Sequence, residues 1–317
     1  MDDSLTLLIE LKKQKRGKLA NMMNNNMNFE QLEKDLNSDD VEKRKSAIIA
    51  LGEMKDNRAV DLLLGIIGNQ FELYEIVTVA LRALKNTDDK RIIAPVLRAY
   101  STFDSDIVKM YVASILGGFE DPDVVDPLIK ILKFGPQGAK CNAAYGLGIN
   151  CYVPAVNALF EAFNSERNQV VRRSILSALG MVEDIGVVST LIKALKDSDQ
   201  FIREIAAESL GDLSEKNARV AGAAKDAISD LQEMLDDSYS NAKINAAITL
   251  IKLGDESGKN VFIKAITSDD RENYLTALRK IDSPKFSFAK KELEKLTKSN
   301  NDEISELSKK SLAFLSE

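Results

Sequence analysis

Phe201-Ile202-Arg203-Glu204-Ile205-Ala206-Ala207-Glu208-Ser209-Leu210-Gly211-Asp212 decides the fold. Ala206, Ala207 and Leu210 fall at i, i+1 and i+4, one face of a helix. Ser209-Leu210-Gly211 has close copies in Ala50-Leu51-Gly52, Ile115-Leu116-Gly117, Gly146-Leu147-Gly148 and Ala178-Leu179-Gly180. Weaker copies are Ala80-Leu81-Arg82, Thr249-Leu250-Ile251 and Ala277-Leu278-Arg279. Their third residues are spaced by 30, 35, 31, 32, 31, 40 and 28, and a ninth, degenerate copy ends at Ala313. The central leucine is present in all eight. Four residues before it stand Ala47, Val77, Val112, Ala143, Ile175, Ala206, Ala246 and Tyr274. Small residues dominate this face, so neighbouring helices can approach closely.

A second amphipathic segment precedes each such helix, as at 59–67, 92–100, 124–133, 153–163 and 187–195. Asp39-Asp40, Asp104-Ser105-Asp106, Asp197-Ser198-Asp199 and Asp269-Asp270 stand where helix N-caps are needed. Strand patterning is almost absent. The expected fold is therefore all-α: a helix–turn–helix unit of roughly 31 residues, stacked eight or nine times, because one unit cannot bury its own apolar face.

Residues 201–212, together with Val170-Val171-Arg172-Arg173-Ser174-Ile175-Leu176-Ser177-Ala178-Leu179-Gly180, closely resemble the short HEAT repeat of the phycobilisome-lyase type. The resemblance covers about residues 28–283 and extends in weaker form beyond. It implies an α/α superhelical solenoid whose second helices line the concave side. It is specific for fold and carries little about function. The family pattern also places a basic residue eight positions before the glycine. Here that column reads Arg44, Lys109, Lys140, Arg172, Arg203, Lys243 and Arg271, broken once by Tyr74. The resemblance favours a structural ladder, each cation bonding loop carboxylates such as Asp104 or Asp199; the competing reading is an anion-binding stripe.

Residues 1–27 form an N-terminal extension or capping helix, and residues 28–317 the solenoid. The extension carries Leu5, Leu7, Leu8, Ile9 and Leu11 ahead of the basic run Lys12 to Lys18. That run reads either as solvent-facing or as an arm for a partner helix, RNA or an anionic surface. The spacing of 40 locates extra length at 213–224, which an extended first helix through Leu235 would absorb. The polar last segment, with Lys298, Asp302, Glu303, Lys309 and Lys310, reads as a cap.

Composition narrows the function. The 317 residues hold 43 Lys and Arg against 49 Asp and Glu, a net charge of −6. An acidic chain lacks the basic face that displaces counterions from nucleic acid. Histidine is absent, which removes Ser-His-Asp triads, His-ligated metals and an imidazole base. It also excludes the iron-holding His-Glu motifs of deoxyhypusine hydroxylase, another HEAT-repeat enzyme. The HEAT-like alkylpurine DNA glycosylases use a basic face and tryptophans, and this chain has no tryptophan. No apolar run reaches the ~18 residues of a membrane span. The acidic start, Met1-Asp2-Asp3, is unlike a secretory signal, so the expected compartment is the cytoplasm. Cys141 and Cys151 are ten residues apart along a helix, roughly 15 Å, too far for a disulfide.

Where copies of a repeat differ, the differences carry function. The second helices leave Met110, Tyr111, Cys141, Asn142, Tyr145 and Arg173 outside the small-residue core, with acidic Glu204 and Glu208 beyond them. Asn245 falls in the same set. Tyr, Met and Arg are enriched at the centres of protein interfaces. The expected activity is a non-catalytic interaction scaffold or adaptor, an assembly or maturation factor being one form. It binds a helix, an extended segment or a subunit of a larger assembly. No catalytic residue, cofactor or metal site is expected, and neither nucleic acid nor membrane as partner. The alternative is a phycobilisome-lyase-like enzyme or chromophore carrier, with Cys141 as a reactive thiol.

Overall fold

The computed structural model describes residues 29–54, 56–85 and 87–316; the 1–27 extension, with its basic run, lies outside them. The described chain is helical with no strand and forms two compact units that divide between Phe119 and Glu120. In the first unit, helical residues 29–36 precede α1 (Val41–Glu53). The pairs α2 (Asn57–Gly68) with α3 (Tyr74–Leu84), and α4 (Ile93–Thr102) with α5 (Asp106–Leu116), follow. Second helices α1, α3 and α5 pack in sequence, as do first helices α2 and α4.

The second unit continues the pattern. Its hairpins are α6 (Pro122–Phe134) with α7 (Gln137–Asn150), and α8 (Val153–Ser165) with α9 (Gln169–Leu179). Next comes α10 (Val188–Ala194) with α11 (Gln200–Lys216). The short helices α12 (Ala218–Ala224) and α13 (Ile228–Glu233) then precede α14 (Ser240–Leu253). The last hairpins are α15 (Lys259–Ile266) with α16 (Arg271–Leu278), and α17 (Lys290–Leu296) with α18 (Asp302–Phe314). Second helices α7, α9, α11, α14, α16 and α18 form one row, each against the next. The degenerate ninth copy is thus a real hairpin.

The repeated columns are the core. The eight leucines from Leu51 to Leu278 are all buried, and so are the eight residues from Ala47 to Tyr274 that precede them by one turn. The glycines mark where successive second helices meet. A Cβ on Gly148 would come 2.8 Å from the Ala178 carbonyl oxygen, and one on Gly211 would come 2.5 Å from the Thr249 hydroxyl. Only a residue with no side chain lets α7 sit that close to α9. In α18 the small buried residues are Ser305, Ser308 and Ser311 rather than alanines. Ser305 donates to the Thr297 carbonyl at 2.7 Å, whereas the Ser308 hydroxyl is buried with no partner.

The aspartates act mostly as expected. Asp40 accepts from the Glu42 and Lys43 amides, Asp199 from Phe201 and Asp270 from Asn273, capping α1, α11 and α16. At α5 the cap position is Ser105, which makes no side-chain cap bond, and the neighbouring Asp104 pairs with Lys109 at 2.8 Å. The extra residues near 213–224 are distributed differently from the expected single long helix. Part extends α11 to Lys216, and part forms α12, whose Val220 and Ala224 are buried; short 3-10 turns break the rest before Asp236. The Asn217 side chain accepts from the Arg219 and Val220 amides and starts that new helix.

Candidate protein-interaction site

Six of the seven cations of the basic column are held by internal ion pairs; Lys243 has none among the described residues. Arg44 pairs with Glu72. Lys140 reaches Glu166 at 2.7 Å, Arg172 reaches Asp197 at 2.8 Å, Arg203 reaches Asp237 at 2.7 Å and Arg271 reaches Glu303 at 3.0 Å. Each of these partners stands in the following hairpin, so the cations stitch neighbours together. Lys109 instead pairs within its own hairpin, with Asp104. Asp199 bonds Arg173, the residue after the column member Arg172.

The expected site residues separate into groups. Met110 and Tyr111 lie on α5 of the first unit, both half-buried. Cys141, Asn142 and Tyr145 lie on α7 of the second, where Tyr145 is 58% exposed. The Cys141 thiol faces the Val170 carbonyl at 4.0 Å, so this side of α7 leans on α9. Both cysteines are free thiols, Cys141 half-buried in α7 and Cys151 just past its end.

Arg173 is already engaged. Its guanidinium bonds Asp199 at 2.7 Å and lies 4.1 Å from the centroid of the Phe201 ring. Phe201 meets Tyr239 edge-on at 5.3 Å. Asn241 donates its amide to the Tyr239 hydroxyl at 3.3 Å, and Tyr239 bonds Glu204 in turn. A polar and aromatic row therefore runs across the beginnings of α9, α11 and α14. Phe201 and Tyr239 were missed by the column reading because they stand at helix entrances, outside the repeated face.

Glu204 and Glu208 line a groove of about 360 Å³ between α11, α14 and α16, with Asn241, Asn245, Arg271, Glu272, Leu275, Thr276, Arg279 and Lys280. Burial pushes the Glu204 carboxyl up, and the nearby Glu208 and Glu272 charges push the same way against bonds from Tyr239 and Asn241. Glu208 pairs with Lys280 at 2.8 Å, and the same ammonium reaches Asp212 at 3.0 Å. Asn245 departs from expectation: it is buried, with 3% exposure, because α14 is enclosed along almost its whole length by α11, α15 and α16.

Among the described residues no group of three or more His, Cys, Asp or Glu is placed to hold a metal ion. No described helix is long and apolar enough to cross a membrane.

A chain of stacked helical hairpins with buried small-residue columns and cation links between neighbours is a helical-repeat protein. The sequence matches the HEAT-repeat model at residues 93–180 and 156–240, and the phycobilisome-lyase HEAT-like repeat model at residues 43–67. The chain belongs to the HEAT-repeat family. No curated protein matches it in sequence. Among solved structures it is similar to the Escherichia coli protein YibA, at 16% identity and a TM-score of 0.52, over 87% of this chain and 98% of that one. It is also similar to the complex of CpcE and CpcF of phycocyanin lyase from Nostoc sp. PCC7120, at 18% identity and a TM-score of 0.45, over 78% and 94%. Human deoxyhypusine hydroxylase matches at 18% identity and a TM-score of 0.38, over 84% and 99%. The likeness to YibA is one of fold.

Proposed function

We propose that the chain is a non-catalytic protein-interaction scaffold that binds a partner along the face of its second helices. The observation that carries this reading is the exposure of Tyr145. It stands on α7, in a row of second helices whose repeated columns are buried, and more than half of it is open to solvent. Aromatic side chains anchor interfaces at low entropic cost, and an exposed one amid a close-packed repeat adds nothing to the stack itself. The pairing of six of the seven column cations with carboxylates supports a protein rather than a nucleic acid as partner. A factor that holds a subunit during assembly in the cytoplasm is a specific form of the same reading.

Capture of the tagged full chain from native lysate tests it, compared with a Tyr111→Ala, Tyr145→Ala variant of unchanged helical circular dichroism. The scaffold reading expects a stoichiometric protein that the variant loses. A bound pigment or small cofactor with no protein partner would favour the lyase-like alternative, for which the repeat matched at 43–67 is the one point of support.

A further inference from the structure

The groove between α11, α14 and α16 holds one amide that the fold leaves without a partner and two carboxylates without an ion pair. Asn245 is 97% buried and lines the groove, yet its side-chain amide makes no hydrogen bond. Neighbouring Asn241 is committed, donating to Tyr239 and accepting from Thr276 at 3.4 Å. On one wall stands Glu204, and on the other Glu272, which is exposed. Neither carboxylate forms an ion pair among the described residues, and the Glu272 charge disfavours ionisation of Glu204.

The cations nearby are held elsewhere. Lys280 is drawn to Glu208 and Asp212, and Arg271 and Arg279 both lean toward Glu303, at 3.0 and 4.0 Å. The groove is therefore open at its centre, with an unpaired carboxylate on each side and the Asn245 amide among its lining. We propose that it receives a basic side chain, an arginine, from an extended segment of a protein partner. A guanidinium offers five N–H donors in a planar fork, enough to bond Glu204, Glu272 and the Asn245 oxygen together, whereas an ammonium is a compact point charge. This assignment rests on the scaffold reading and locates one of its contacts.

The test is fluorescence anisotropy of the full chain with a fluorescein-labelled, end-capped octapeptide of glycine and serine carrying two adjacent arginines, at low salt. Saturable binding is expected. It should weaken at least tenfold when citrulline replaces arginine, and at least tenfold in Glu272→Gln, a surface change that leaves the thermal melt unmoved. Asn245→Ala, checked by the same melt, should weaken binding as well. Equal binding of the citrulline peptide, or no effect of Glu272→Gln, overturns the proposal. So does spermidine binding that depends on Glu272 while the peptide fails to bind, since that outcome assigns the groove to a free polyamine. If the peptide result fails while the lysate partner still depends on Tyr111 and Tyr145, the groove assignment falls and the scaffold reading stands. If capture depends on neither tyrosine, the scaffold reading falls by its own test.

Discussion

The ammonium of Lys252 lies 3.0 Å from the carboxylate of Asp212, forty residues earlier, and only 1% of the lysine side chain meets solvent. Glu215 and Asp282 close on the same nitrogen at 3.0 and 3.1 Å, so three hairpins converge on one charge. Burial alone would pull the Lys252 value down, but bonds to Glu215 and Asp212 outweigh it and hold the group above the ordinary lysine range. In Lys252→Met these carboxylates would face one another with one cation fewer. They are partly exposed and Lys280 remains on Asp212, so the loss should be about 1–3 kcal/mol, below that of a fully buried pair. Urea titration checks it. A raised lysine stabilises fully below its unfolded value and less as pH climbs through the folded one. The difference between wild type and variant should therefore be level from about pH 6 to 9 and shrink above about pH 10.5.

Arg203 and Asp237 form a two-pronged link, Nε to Oδ2 at 2.7 Å and Nη2 to Oδ1 at 2.9 Å. The Arg203 bonds hold the Asp237 carboxyl below its usual range against the effect of burial, with help from the Tyr239 amide. A depressed carboxyl stabilises above its unfolded value and loses that contribution as pH falls through the folded one. Wild-type stability should thus decline between about pH 5 and 2, and Arg203→Met should show a shallower decline from a starting point about 2 kcal/mol lower. Unfolding midpoints measured across that range decide the point.

Glycine substitutions should split by position. Gly148→Ala places a methyl against the Ala178 backbone, whose carbonyl oxygen and Cα are 2.8 and 3.0 Å away, and backbone cannot swing aside. It should cost about 1–3 kcal/mol. Gly222 lies in α12 with nothing within 4 Å, so Gly222→Ala should stabilise by about 0.5–1 kcal/mol through helix propensity. Thermal melts of the two variants should move in opposite directions.

Cys151 ends α7 in the left-handed region, with φ 49°. Its thiol donates to the Gly148 carbonyl at 2.7 Å, and burial, then the charges of Glu183 and Glu120, push it up. The thiolate is therefore scarce near neutrality, and alkylation by iodoacetamide at pH 7.5 should be slow beside a model thiol. Cys151→Gly relieves the backbone conformation and should raise stability by about 0.5 kcal/mol, net of the lost bond.

The stack was legible in the sequence because its core depends on identity at fixed spacing. Leu210 with Ala206, and Leu147 with Ala143, must recur wherever two second helices meet, and they do. The cation ladder was legible for the same reason, although its partners had to be found in space: Arg172 takes Asp197, and Asp199 goes to Arg173. Register failed at α14. The period places Asn245 among solvent positions, but the lengthened α11 lies along that helix and covers it. The groove acceptor is thus a product of the irregular spacing between Gly211 and Ile251, and a periodic reading cannot anticipate it. Glu204 and Glu208 were visible because they share a face one turn apart, whereas Glu272 joins them from a helix 64 residues beyond Glu208.

Serine in place of alanine along α18 has a kinetic consequence. The seam between α18 and the helices it packs on is lined by hydroxyls, and the one on Ser308 gives up water without gaining a bond, at a cost of about 1–3 kcal/mol. That seam should breathe more often than the alanine-lined contact of α11 with α14. Amide protons of α18 should exchange with deuterium well before those of α14, and a Ser308→Ala chain should slow them.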